Sequence, residues 1–76
     1  MAFREIPINR GENVDKVAYD PDSGTLKVSF QRVGSPDYLF YQVPIDVANG
    51  FTTSGLTGGK YFNAFVRGQF PFEAFG

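Results

Sequence analysis

The clearest pattern in the chain is an alternation over residues 25–32, where Leu26, Val28 and Phe30 are apolar and Lys27, Ser29 and Gln31 are polar. A period of two puts these sets on opposite faces of a strand, one buried and one wet. The same period runs through residues 13–19, with Val17 and Tyr19 on one side and Lys16 and Ala18 on the other. Residues 38–43 form a third strand that is apolar on both sides, Tyr38 and Phe40 one way and Leu39, Tyr41 and Val43 the other. The connections are Asp20-Pro21-Asp22-Ser23-Gly24 and Val33-Gly34-Ser35-Pro36-Asp37. Both carry turn chemistry: Pro presets φ, Asp bonds its own backbone and Gly accepts a positive φ. Three strands joined this tightly predict an antiparallel meander.

The period changes after Val43. Pro44 suits a first helical turn, and Asp46 near that end suits the helix dipole. Ile45, Val47, Ala48 and Phe51 fall on one helical face. Gly50 weakens that helix by about 1 kcal/mol relative to Ala, so it is expected to be short. Residues 52–59 read as a Gly/Ser/Thr loop, and residues 60–69 as a second helix with Tyr61, Phe62, Phe65 and Val66 at helical spacing. Pro71 stops it. The predicted fold class is α+β: a three-stranded antiparallel β-meander followed by two short helices packed on one face. Residues 1–76 make a single domain, with 1–12 an N-terminal arm able to pair as an edge strand around residues 3–8, and 70–76 an aromatic C-terminal tail.

Composition narrows the chemistry. The 76 residues include nine Phe and four Tyr but no Trp, His or Cys. Without Cys there is no disulfide framework, thiolate nucleophile or zinc ribbon. Without His the usual general base near neutral pH is missing. Buried rings, at roughly 150–250 Å² each, are the alternative source of stability for so small a core. No apolar run matches a signal peptide or a membrane span, which leads to the expectation of a cytoplasmic protein without membrane partners. The net charge of −1 hides an asymmetry, because residues 1–46 carry −2 and residues 47–76 carry +1.

Three constellations suggest sites. Gly55-Leu56-Thr57-Gly58-Gly59-Lys60 looks like a phosphate loop, but Ser54 stands where a Walker motif needs its first Gly and Tyr61 where it needs Ser or Thr. What survives is either a plain loop capped by Thr57 or a weak anion site beside Lys60. Asp20-x-Asp22-x-Gly24 opens like a calcium loop, yet Thr25 and Gln31 occupy its sixth and twelfth positions, so a hairpin turn and no metal is expected. Scattered carboxylates with no convergent partners argue against an enzyme and against a cofactor. The third constellation is basic. Lys16, Lys27 and Arg32 lie on or next to strand positions opposite the apolar stripe, and Lys60 and Arg67 are seven apart, two turns on one helix face. Such cations beside an exposed Tyr hold single-stranded nucleic acid in several small folds, although the same residues also serve simply as a solvated face.

Taken in order, Tyr19-Asp20, the Leu26-Val28-Phe30 strand, Tyr38 and Phe40, Val43-Pro44, Gly59-Lys60-Tyr61-Phe62-Asn63, Val66-Arg67 and Phe70-Pro71 resemble the KTSC domain. That family is named for its place at the C-terminus of some lysyl-tRNA synthetases and also occurs as stand-alone bacterial and phage proteins. The resemblance spans roughly residues 14–72. Departures are Phe40 where Tyr is usual, Leu39 where a polar residue is common, and the Gly-rich stretch before Lys60. The synthetase context implies RNA as a ligand and names no activity.

The leading expectation is therefore a small non-catalytic module that binds RNA or a small nucleotide-like anion through Lys16, Lys27, Arg32, Tyr41, Lys60, Asn63 and Arg67. Asn63 has two readings, a surface amide for a ligand or, as favoured from the sequence, a buried amide tying the helix to a loop carbonyl. Tyr38 and Phe40 are either core or a stacking platform. The alternative is a protein-interaction module, phage-type or self-associating, that uses Phe70, Phe72 and Phe75. Residues 61–76 hold six aromatic residues, more apolar surface than a small core readily hides.

Overall fold

The computed structural model describes residues 2–75. Its framework is one antiparallel sheet of five strands in chain order: β1 (Arg4–Ile6), β2 (Val14–Asp20), β3 (Thr25–Phe30), β4 (Asp37–Phe40) and β5 (Phe72–Phe75). The three central strands are the predicted meander. The expected three-stranded sheet is corrected to five, because the arm supplies β1 and the aromatic tail is itself a strand. Arg4 pairs with Tyr19 at one edge, and Phe72 pairs with Phe40 at the other. The aromatic tail gains ladder partners from β4, a pairing that no local pattern announces.

Between β4 and β5 the chain forms the helical layer. Helix α1 spans Ile45–Thr53, and α2 (Gly58–Tyr61) runs directly into a π-helical turn at Phe62–Val66. The π-turn is marked by the Arg67 amide donating to the Phe62 carbonyl at 2.9 Å. Arg67 itself has extended backbone, so the predicted straight helix to residue 69 ends early, and Gly68 follows at φ 76°. Lys60 and Arg67 therefore do not share one uninterrupted helix face.

Why these residues bury as they do follows from register. Val17, Tyr19, Leu26, Val28 and Phe40 share the sheet face under the helices. A bulge between Val14 and Lys16 lets Val14 join them despite its odd spacing from Val17. From the helical layer come Ala48, Phe51, Tyr61, Phe62 and Val66. Two expected core positions are not: Ile45 and Phe65 are about half exposed, at 53% and 50%. Ile45 stands at the first position of α1, and Phe65 lies across the Tyr61 ring at 4.8 Å between centroids.

The β2–β3 turn behaves as its residues predict. The fully buried Asp20 carboxylate accepts from the Asp22 amide and the Ser23 hydroxyl, both at 3.0 Å, and Gly24 takes φ 71°. Gln42 at φ 61° then breaks the alternation after β4 and turns Val43 into the core. The Val43 amide donates to the Gly24 carbonyl at 2.9 Å, and its carbonyl accepts from the Tyr19 hydroxyl. The turn, the end of β4 and the start of α1 are thus one unit.

The glycine-rich segment is structural. The Gly58 amide donates to the Asn9 carbonyl at 2.9 Å, and the Thr57 hydroxyl caps Lys60, as the loop reading expected. A Cβ on Gly59 would run into the Glu12 carbonyl oxygen. The N-terminal arm is held down at the same place, since the Thr52 hydroxyl donates to the Pro7 carbonyl at 2.6 Å.

Gly50 faces Tyr61 so closely that an added Cβ would meet its hydroxyl and ring. That hydroxyl donates to the Val47 carbonyl at 2.7 Å, and the ring lies 4.6 Å from Phe51. An Ala at a helical Gly ordinarily gains up to about 1 kcal/mol, whereas overpacking costs roughly 1–3 kcal/mol. Here the clash dominates. Gly50→Ala should lower stability by about 1–3 kcal/mol, read from the midpoint of urea unfolding at unchanged m-value; a midpoint equal to or above that of the parent contradicts this packing.

Burial raises the pKa of Tyr19 and Tyr61 above the ordinary 10.0, and the neighbouring Asp20 adds to the effect on Tyr19. The folded state thus favours the neutral phenols. Their contribution to stability is complete below the unfolded-state value and is lost as pH rises through the higher folded values. Absorbance titration should show these two phenols ionising later than a free tyrosine, together with alkaline unfolding. Ionisation of all four tyrosines at the free value in an intact fold would refute it.

Candidate functional site

One end of the covered sheet face stays open. There Phe30, Tyr38, Phe40, Phe62 and Phe72 line a cleft of about 710 Å³. The rings form one connected cluster. Phe40 and Phe62 lie beneath, edge to face at 5.5 Å, and are buried. Tyr38 and Phe72 lie nearer solvent, with centroids 5.8 Å apart, and Phe72 is 58% exposed. Tyr38 and Phe40 both point toward the helices, and they divide the two roles anticipated for them: Phe40 is core, and Tyr38 is a half-buried wall of the cleft.

Polar groups gather on the rim. Arg32 comes from the β3–β4 turn, Arg67 from the residue after the π-turn, and Asn63 from within that turn. Asn63 is exposed and its side chain has no hydrogen bond among the described residues, which corrects the favoured buried reading: the π-turn holds residue 63 outward while Phe62 and Val66 point in. Gln31 also lines the cleft. Its amide nitrogen donates to the Gly11 and Val14 carbonyls at 2.6 and 3.0 Å, so only its carbonyl oxygen is left for a ligand. Among the described residues no carboxylate side chain lines the cleft and neither arginine has an ion-pair partner; Arg10 pairs with Asp15 at 3.3 Å. A planar anion fits such a surface, since guanidinium groups bind its charge bidentately and rings stack on its plane.

The other sequence-selected residues lie elsewhere. Lys16 and Lys27 stand on the opposite, helix-free face of the sheet, as strand alternation requires. The Lys27 ammonium sits 5.5 Å from the Phe3 ring and 5.7 Å from the Phe75 ring. Arg32 was expected to join them, but it lies past the end of β3, where the turn carries it to the cleft. Tyr41 donates to the Glu73 carboxylate, which raises its pKa, and Lys60 is exposed on α2 outside the cleft lining. The three tail rings diverge: Phe70 packs against the core, Phe72 enters the cleft and Phe75, 43% exposed, lies on the open face. Asn13, Ser35 and Gln31 are cleft residues that sequence patterning did not single out. Alternation placed Gln31 with Lys27 and Ser29 on the polar face; it reaches the cleft because β3 ends at Phe30. Among the described residues no group of three acidic side chains is placed to hold a metal ion. Among the described residues no helix is long and apolar enough to cross a membrane.

The family model for the KTSC domain matches residues 11–70. The chain belongs to the KTSC domain family. It is similar to the crystal structure of a KTSC domain protein from Yersinia pestis, with 25% sequence identity, a TM-score of 0.81 and coverage of 99% of this chain and 100% of that one. No curated protein matches. The KTSC match takes in Arg32, Asn63 and Arg67 but stops before Phe72. The structural likeness extends over nearly the whole chain, edge strands included.

Because the rim arginines have no described ion-pair partner, they contribute little to folding. Arg32→Ala and Arg67→Ala should each leave stability within about 0.5 kcal/mol in urea unfolding. A loss of 2 kcal/mol or more, about four times that margin, would give them a structural role instead.

Proposed function

We propose that this chain is a non-catalytic binding module that takes RNA or a nucleotide-like anion in the aromatic cleft. The observation that carries this is the pairing of two guanidinium groups with a ring-lined cleft that no acidic side chain among the described residues lines, in a chain of net charge −1. Arg32 and Arg67 bind phosphate, Tyr38 and Phe72 stack on the base, and Asn63 with the Gln31 carbonyl reads its edge. Lys16, Lys27, Tyr41 and Lys60, outside the cleft, have no part in that contact. A cytoplasmic setting, expected from the sequence, suits such a ligand.

A second reading has its own support. β5 is an edge strand, and its rings Phe72 and Phe75 are exposed on opposite faces. An open edge with apolar side chains is suited to pairing with a strand of a protein partner or of a second copy. A mass above that of the monomer by light scattering favours it, and a monomer at high concentration argues against self-association.

Fluorescence titration with a labelled single-stranded RNA at low salt tests the first reading. Saturable binding is expected, weakened about tenfold or more by Arg32→Ala or Arg67→Ala and unchanged by Lys60→Ala. Absence of saturable binding, or equal weakening by all three variants, sinks it.

A further inference from the structure

We propose, resting on the nucleotide-binding reading above, that the cleft takes a single nucleotide unit, one unpaired base with its phosphate, and not a continuous strand. Charge is the first reason. Arg32 and Arg67 are the cations lining the cleft. The remaining five Lys/Arg stand against eight Asp/Glu, of which Asp20 is buried, so the surface beyond the cleft carries two more acidic than basic side chains. Lys16 and Lys27 lie on the far side of the sheet, and Arg10 is already paired with Asp15. Proteins that hold a running single strand line its path with cations along several nucleotides. No excess of positive charge is left to line such a path beyond the cleft.

Ring geometry is the second reason. Tyr38 and Phe72 are the cleft rings at its solvent side, and their centroids are 5.8 Å apart with planes inclined at 45°. Adjacent and tilted, they form the wall of one slot and not a row of platforms. Phe40 and Phe62 close the slot from below. The volume of about 710 Å³ lies within the range of small-ligand sites. The Gln31 carbonyl oxygen is then left to accept from a ring N–H or exocyclic amino group of the base, where ribose phosphate alone has only hydroxyl donors. One nucleotide unit can come free in solution or as the end of an RNA strand, and the same contacts serve both.

Calorimetric titration distinguishes these cases, using adenosine 5′-monophosphate, adenosine, ribose 5-phosphate and an RNA of about twelve nucleotides with and without a 5′-phosphate. The mononucleotide should bind within about threefold of the phosphorylated oligomer, and adenosine about tenfold more weakly than the mononucleotide. For the oligomer, the logarithm of affinity should fall with the logarithm of salt at a slope near −0.7, about the value for one neutralised phosphate on a single strand. Phe72→Ala, checked for an unchanged unfolding midpoint, should weaken the mononucleotide about tenfold and leave ribose 5-phosphate unaffected. Arg67→Ala should weaken both. Tighter binding of the oligomer with a 5′-phosphate than without assigns the strand end, and mononucleotide binding without oligomer binding assigns the free nucleotide; either supports the single unit. An oligomer bound more than about tenfold tighter than the mononucleotide, with a slope steeper than about −3, overturns the single unit and leaves RNA binding standing. Binding of neither overturns both.

Discussion

Strands in a sheet lie about 4.8 Å apart, so five of them make a face roughly 24 Å wide, while a helix with its side chains covers about 10 Å. This chain has two short helical segments to lay on that face, and they do not reach its whole extent. Everything else follows from where the shortfall falls. The helices are drawn over Val14, Val17, Leu26 and Val28, which disappear from solvent. The uncovered part is the corner where β3, β4 and β5 bring Phe30, Tyr38 and Phe72 together. The cleft is the remainder of an incomplete layer, and it is lined by rings because aromatic residues dominate that end of the sheet.

The placement of the helical layer depends in turn on close backbone approaches. Gly50 admits the Tyr61 ring between the two helical segments, and Gly59 admits the Glu12 carbonyl of the arm. These two contacts press α2 onto the arm and α1, which sets the direction in which the π-turn leaves α2. The π-turn then displaces Arg67 from a helical course and brings it to the rim opposite the β3–β4 turn. A Gly-rich loop that resembles a phosphate cradle in sequence is thus occupied by the protein's own backbone. The cations able to meet an anion at the cleft are supplied by segments 35 positions apart, Arg32 and Arg67.

What was legible in the residues is what depends on neighbours in the chain. Leu26, Val28 and Phe30 announce β3 and its buried face by alternation alone, and Asp20 through Gly24 announce their turn by side-chain chemistry. The α+β class and the KTSC resemblance rest on such local features. The edge strands were harder, because Arg4–Ile6 and Phe72–Phe75 are held by single long-range partners and carry no clean alternation. The cleft was half legible. Arg32, Asn63 and Arg67 could be picked out by type, but grouping them required the π-turn and the β4–β5 pairing, and both are set by tertiary packing. Grouping Lys16 and Lys27 with Arg32 set alternation aside: Arg32 is five residues from Lys27, and an odd spacing places it with Phe30, on the cleft side.

The helix-free face carries one further arrangement of note. Phe3 precedes β1 at one edge of the sheet, Phe75 ends β5 at the other, and both rings reach the ammonium of Lys27 on the central strand. Each contact is worth on the order of 0.5–1 kcal/mol at an exposed site. β1 and β5 share no hydrogen bond, yet they share this cation. Fraying of one withdraws a ring and weakens the grip on Lys27 that the other also uses. The two outermost strands are therefore coupled through one side chain across the width of the sheet, by no more than about 0.5–1 kcal/mol, and β5 carries the cleft residue Phe72.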